Sequence, residues 1–282
     1  MRQRLVIVLG LILGACAEDN NTAGVDDFVE ATASEHADDS PAATAITDVE
    51  PAVDVIAEEL VYGATDDHNL TGYMVLPADV VEAPGVIMIH EWWGLNDNIQ
   101  AMARRLAGEG YAVLAIDLYG GETATTAAQA ENLMSGVMSN RESTLDNIRQ
   151  AYDYLDQWAL APRIATLGWC LGGGWSLEAA IDLGESVDAA VMFYGRVISE
   201  DEQLSNLDAP LLGIFAENDE SIPVRDVQRF RSQLRDLDKE SNVLIYSDVE
   251  HAFANPSGNA YNQDAAEQAW AETLVFLDAE LR

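Results

Sequence analysis

From about Glu58 to the C-terminus, short apolar runs alternate with longer amphipathic stretches, and this alternation restricts the fold more than any other property of the chain. "GVIMIHE" (85–91), "YAVLAIDLY" (111–119) and "VDAAVMFYG" (187–195) are too uniformly apolar for half-exposed strands, so both of their faces must be covered. "YMVLPA", "RIATLGW", "APLLGIFAE" and "NVLIYS" read as further strands. Between them lie stretches with helical spacing: "NDNIQAMARRLAGEG", which has an Asn/Asp start and a glycine stop, then "RESTLDNIRQAYDYLDQWAL", a helix from about Gly173 to Leu183, "VRDVQRFRSQLRDL" and "NQDAAEQAWAETLVFLDAEL". Strands alternating with helices predict an α/β domain with a mainly parallel central sheet and helices on both faces. The chain's 282 residues, 49% apolar and 22% charged, suffice for one such core.

One junction in this pattern is chemically unusual. "GWCLGGGW" (168–175) lies between a strand and a helix, and Gly168-Trp169-Cys170-Leu171-Gly172 has the form Gly-x-nucleophile-x-Gly. Its glycines permit a tight turn that lifts one side chain above the sheet, at a helix N-terminus whose partial positive charge favours thiolate over thiol. A small buried core cysteine fits the same position. A Cys-x-x-Cys redox motif is absent, and no Cys/His cluster with metal-ligand spacing accompanies Cys170. Nucleophilic catalysis would need a base and an acid to orient it.

The chain has four histidines. His36 lies in an acidic N-terminal stretch, His68 in a polar turn, and His90 at the end of a buried strand. His251, in "SDVEHAFANP", falls between the last strand and the last helix, where the order nucleophile, acid, histidine puts the base of an α/β-hydrolase. Asp219 in "FAENDESIP" follows the preceding strand and can hold the imidazole tautomer, with Glu217 and Glu220 as competing carboxylates.

Taken together, "IHEWWGLNDNI", "AIDLYGG", "GWCLGG", "AENDESIP" and "HAFANP" resemble the dienelactone hydrolase family in order and spacing. The resemblance runs from about residue 58 onward and implies an α/β-hydrolase domain over 57–282. It also implies a Cys170–His251–Asp219 triad and an assisting Glu91 that helps generate the thiolate. The backbone N–H groups of Trp92 and Leu171 would form an oxyanion hole, and Trp93, Tyr119 and Phe253 a substrate pocket. The expected reaction is hydrolysis of a small-molecule ester or lactone through a thioacyl-enzyme, with no cofactor and no metal. Thioesterase or transferase chemistry would use the same residues, and a lipid-tethered binding protein without activity is the alternative from another class. Better-studied members hold a substrate carboxylate with arginines and a serine; here Ala252 follows the histidine, Asn255 stands at one arginine position, and "ETATTAAQAENLM" has no basic residue. Neutral or hydrophobic substrates are therefore expected.

"MRQRLVIVLGLILGAC" (1–16) has a basic start and an apolar run too short to span a bilayer, which reads as an export signal. Its end, Leu13-Gly14-Ala15-Cys16, resembles a lipobox, implying lipidation of Cys16, attachment to the membrane through that lipid alone, and location in the cell envelope. Residues 17–56, rich in Ala, Asp, Glu and Thr, read as a solvated acidic tether.

Asp and Glu number 49 against 14 Lys and Arg, a formal charge of −35. Such a surface repels nucleic acid and anionic lipid. Its self-repulsion is relieved where counter-ions screen it, which suits a salty medium. The unfolding midpoint is therefore expected to rise between low and molar salt; a flat profile in a urea titration series removes this reading.

Overall fold

The computed structural model describes residues 21–80 and 82–282. The expected export signal and Cys16 lie outside them, and no helix among the described residues is long and apolar enough to cross a membrane. The described residues open with helix α1 (Asn21–Glu35), followed by strands β1 (Val55–Ala64), β2 (Asn69–Pro77) and β3 (Gly85–Ile89). Next come α2 (Asp97–Gly108), β4 (Ala112–Ile116), α3 (Ala127–Ser139), α4 (Arg141–Gln157), β5 (Ile164–Trp169) and α5 (Leu171–Leu183). The remainder is β6 (Ala189–Phe193), the short α6 (Asp201–Leu204), β7 (Leu211–Ala216), α7 (Val224–Asp236), β8 (Ser241–Tyr246) and α8 (Gln263–Leu281).

The strands form one eight-stranded sheet in the order β1-β2-β4-β3-β5-β6-β7-β8. Pairing is parallel from β4 through β8, while β1 and β2 join antiparallel. Every residue of β3, β4, β5, β6 and β7 is buried, as uniformly apolar runs require of strands covered on both faces. The edge strand β1 instead exposes Glu58 and Glu59, charges that discourage pairing with another chain. Helices α4 and α5 pack together over β3 and β5, and α2 is tied to α8 by the Arg105–Glu267 ion pair. The expected α/β architecture is thus the observed one.

The β5–α5 junction depends on two glycines. A Cβ on Gly172 would collide with the carbonyl oxygens of Ile89 and His90, and one on Gly168 with the backbone of Gly172. The start of α5 therefore lies directly against the end of β3, a proximity that any side chain would prevent.

Residues 21–56 do not form the expected solvated tether. Phe28, Val29, Thr32 and His36 are all buried, spaced so that they line one side of α1 and its C-terminal turn, and α1 rests on α3. Farther along, Thr44 donates through its N–H and hydroxyl to Asn98 Oδ1, and Asn98 Nδ2 donates to the Ala42 carbonyl at 3.0 Å. The acidic average of the segment concealed this narrow apolar stripe.

Gly172→Ala is expected to destabilise the fold by about 3 kcal/mol or more, since backbone rather than a flexible side chain must yield. In a domain of this size that corresponds to a fall in melting temperature of about 10 °C, read by circular dichroism.

Candidate active site

Cys170 occupies the point of the turn between β5 and α5. Its φ of 52° lies in the left-handed region, which is strained for a residue with a side chain. The strain is held from both sides: Cys170 N–H donates to the Phe193 carbonyl at 3.0 Å, and the Cys170 carbonyl accepts from Gly174 N–H at 3.2 Å. The thiol is thereby fixed at the C-terminal edge of the parallel sheet, where loops from other strands converge.

Two of those loops bring His251 and Asp219. His251 Nε2 lies 3.3 Å from Cys170 Sγ, and His251 Nδ1 lies 2.8 Å from Asp219 Oδ2. The other Asp219 oxygen accepts from Ile222 N–H at 2.6 Å, which fixes the carboxylate. Glu217 and Glu220, the competing carboxylates, are exposed, while Asp219 is buried, so the geometry selects Asp219. With Nδ1–H donated to Asp219, His251 presents Nε2 to the sulfur.

Glu91 follows β3 and is buried. One of its oxygens accepts from Asn255 Nδ2 at 2.8 Å, while Asn255 Oδ1 accepts from both the N–H and the hydroxyl of Ser257 at 2.8 Å. Sequence reasoning assigned Asn255 only as a missing arginine; here it orients the glutamate. His90, the residue before, holds the loop through both ring nitrogens: Nδ1 meets the Glu91 carbonyl at 2.6 Å and Nε2 accepts from Leu118 N–H at 3.1 Å.

Trp92 and Trp93 are fully buried with their rings edge to face at 5.2 Å. Tyr119 donates its hydroxyl to the Trp92 carbonyl at 3.0 Å, and therefore braces this loop. Phe253 packs against Tyr194 and Tyr246, and Tyr194 in turn meets the His251 ring at 5.1 Å. Leu171, the first residue of α5, presents its N–H where a helix has no internal acceptor for it.

His36 was expected in a tether and instead lies inside the site. It is 1% exposed, its ring stacks on Trp92 at 5.0 Å, and its Nδ1 meets Asp39 Oδ2 at 2.8 Å. Glu35, beside it, accepts from Glu220 N–H at 2.9 Å and from the Ser221 hydroxyl, and lies 3.9 Å from His251 Nδ1. Only the spacing of His36 behind the apolar positions of α1 pointed to this placement, and it is a weak signal beside the segment's charge. His68, by contrast, is in the exposed turn expected for it, bonded to Thr65.

The charges are strongly shifted. Burial acts to raise the Cys170 thiol, but the imidazoles of His251 and His36 bring it down to about 7. Burial opposes charge on His251 too, yet Asp219 and the sulfur hold it well above its ordinary value. His36, opposed by burial and supported by Asp39, is raised to about 9. Glu91, deprived of solvent, is pushed up to about 8 and is neutral near pH 7. Two groups have metal-ligand geometry among the described residues: His36, Cys170 and His251, and Glu35, Asp219 and His251, each with ligand atoms within 4.8 Å of one another. Most of these atoms are already engaged in the hydrogen bonds above.

The arrangement resembles known proteins along most of the chain. The model of the dienelactone hydrolase family matches residues 70–281. The protein "usf" of Aquifex pyrophilus is 32% identical over 215 residues, 74% of this chain and 92% of that protein. A Bradyrhizobium protein described as a "probable 2-oxo-3-(5-oxofuran-2-ylidene)propanoate lactonase" is 28% identical over 239 residues, 80% of this chain and 96% of the other. Among solved structures, one described as m3DLH superposes with a TM-score of 0.73 at 26% identity, covering 81% of this chain and 99% of its own. A dienelactone hydrolase-like promiscuous phosphotriesterase from metagenomic libraries reaches the same TM-score, 0.73, at 24% identity, covering 81% of this chain and 99% of its own, and shares the fold. With its sheet order, its strained thiol turn and a family match spanning the folded core, this chain belongs to the dienelactone hydrolase family of lactone and ester hydrolases.

Proposed function

We propose that the protein hydrolyses small neutral lactones or esters with Cys170 as nucleophile, His251 as acid and base, and Asp219 as the group that orients the imidazole. The observation that carries this reading is the buried chain of contacts from Cys170 Sγ to His251 at 3.3 Å and on to Asp219 at 2.8 Å, at a strained strand–helix turn.

In this mechanism the thiol proton passes to His251, and the thiolate attacks the substrate carbonyl carbon. The negative charge that develops on the carbonyl oxygen is met by the backbone N–H groups of Trp92 and Leu171. His251 then gives its proton to the departing oxygen as the C–O bond breaks, leaving a thioacyl-enzyme and, for a lactone, a tethered hydroxyl. Water, deprotonated by His251, attacks the thioester and releases the carboxylate and the thiol.

Glu91 was expected to take the thiol proton. The group beside the sulfur is His251 Nε2, at 3.3 Å, and Glu91, pushed up to about 8 by burial, spares the thiolate a second buried negative charge while it is neutral. A neutral substrate is favoured because Arg141 and Arg196, which line a cleft together with Leu171, are both paired with Glu178, at 2.7 and 3.4 Å. The Bradyrhizobium relative's lactonase description favours a lactone. The reaction takes place outside the cytoplasm, with the chain held to the membrane by a lipid on Cys16; metabolic labelling with a fatty acid, lost in Cys16→Ser, is the expected result.

Turnover of a panel of neutral lactones and aryl esters is expected to fall by more than about a thousandfold in Cys170→Ala, with the circular dichroism unchanged. Activity retained by that variant would remove the thiol mechanism, and a folded wild-type protein without turnover would favour a binding protein.

The thiolate form is required, so kcat/KM is expected to be level from about pH 7 to about pH 8, where Glu91 begins to ionise, and to drop about tenfold per unit below pH 7, following the lowered thiol pKa. An acid limb near the ordinary thiol value, above 8, would contradict the ion-paired thiolate.

A further inference from the structure

The proposed reaction leaves His36 without a task, although its side chain is buried inside the site. Its Nδ1 is committed to Asp39, whose other oxygen accepts from Asn259 N–H at 2.8 Å. That bond leaves Nε2 for whatever lies on the other side of the ring. Nε2 is buried without a hydrogen-bond partner of its own, and ring nitrogens of His36 and His251 lie with Cys170 Sγ inside a 4.8 Å cluster. The His36 ring is wedged between Trp92, stacked at 5.0 Å, and His251, edge-on at 5.7 Å. Two imidazoles, each held at Nδ1 by its own aspartate, therefore converge on one sulfur.

Resting on the reading of Cys170 as the nucleophile, we propose that His36 is a further catalytic residue of the site: a second imidazole donor to the Cys170 sulfur that holds the thiolate, with Asp39 as its positioning residue. The segment that contains it is on this account part of the active site. A protonated ring beside the sulfur favours thiolate over thiol by direct attraction, and the low-polarity surroundings strengthen that attraction. Burial opposes charge on His36, but Asp39 and the Cys170 sulfur together raise it to about 9. The charged and titratable groups facing this cluster are Asp39 beneath His36, Asp219 and Glu35 behind His251, and neutral Glu91 after β3. Tyr119 and Tyr194 also face it, both held protonated by burial. The two aspartates hold the imidazoles at Nδ1, and the rings themselves lie nearest the sulfur.

Cys170 has no exposed surface, so substrate must displace a covering group to reach it, and a test has to separate a donor from a mere cover. The pH dependence of Cys170 alkylation by iodoacetamide does so, because a cover alters the rate at every pH while a donor moves the midpoint. In the full chain, His36→Gln is expected to raise that midpoint by about one unit and to lower kcat/KM near neutral pH about tenfold, with a melting temperature close to wild type. Asp39→Asn, which retains the His36 ring but removes its charged partner, is expected to move the midpoint in the same direction by less. An unmoved midpoint in both variants, or alkylation and turnover that rise together at all pH values, would overturn the proposal and leave His36 as a cover. Failure of the thiol mechanism itself reads differently: Cys170→Ala would then retain hydrolysis whatever His36 does.

Discussion

The close approach of the first turn of α5 to the end of β3 is the constraint on which the site depends. Because Gly172 has no side chain, its backbone rests against the carbonyls of Ile89 and His90. That contact brings Cys170, two residues earlier, toward Glu91 and Trp92, one and two residues after His90 in the loop that follows β3. The parallel register of β3 and β5, with Ile89 opposite Gly168, sets the same proximity from within the sheet. The strained φ at Cys170 is tolerated because hydrogen bonds to Phe193 and from Gly174 over-determine the turn. The placement of Cys170, Glu91 and the two proposed oxyanion donors thus follows from one packing contact.

Around this contact is a cluster of ionisable groups that would be costly if any member were unpaired. Each imidazole has a carboxylate, each carboxylate accepts backbone or side-chain hydrogen bonds, and Glu91 avoids the cost by remaining protonated. Of the two acids without an imidazole partner at Nδ1, the Cys170 thiol is brought down to about 7 and Glu91 is pushed up to about 8, so the further negative charge settles on the sulfur beside the two rings. A chain of formal charge −35 thus surrounds its sulfur with local positive charge, and the bulk acidity of the surface has little bearing on the buried site.

The N-terminal segment joins the fold to this chemistry. α1 packs on α3 through a narrow apolar stripe, and the residues after it reach the site through Glu35, His36 and Asp39. Polar contacts of Thr44 with Asn98 fasten the chain beyond the site. These few attachments make the segment separable from the core in principle, because local stability follows the number of buried contacts.

The alternation of apolar runs and amphipathic stretches determined the α/β class, and the Gly-x-Cys-x-Gly spacing marked the turn, because both follow from backbone periodicity and glycine sterics. The order of Cys170, Asp219 and His251 was likewise legible, since each follows a strand that the sequence marks. Tertiary structure decided what depends on distance between remote segments. It separated Asp219 from the exposed Glu217 and Glu220, and it turned Asn255 from an absent arginine into the partner of Glu91. It also brought His36 from an acidic stretch to within 4.8 Å of a sulfur 134 positions away in the chain. Composition averages over a segment, whereas docking depends on the few residues that share one face, and no local pattern records which distant surface that face will meet.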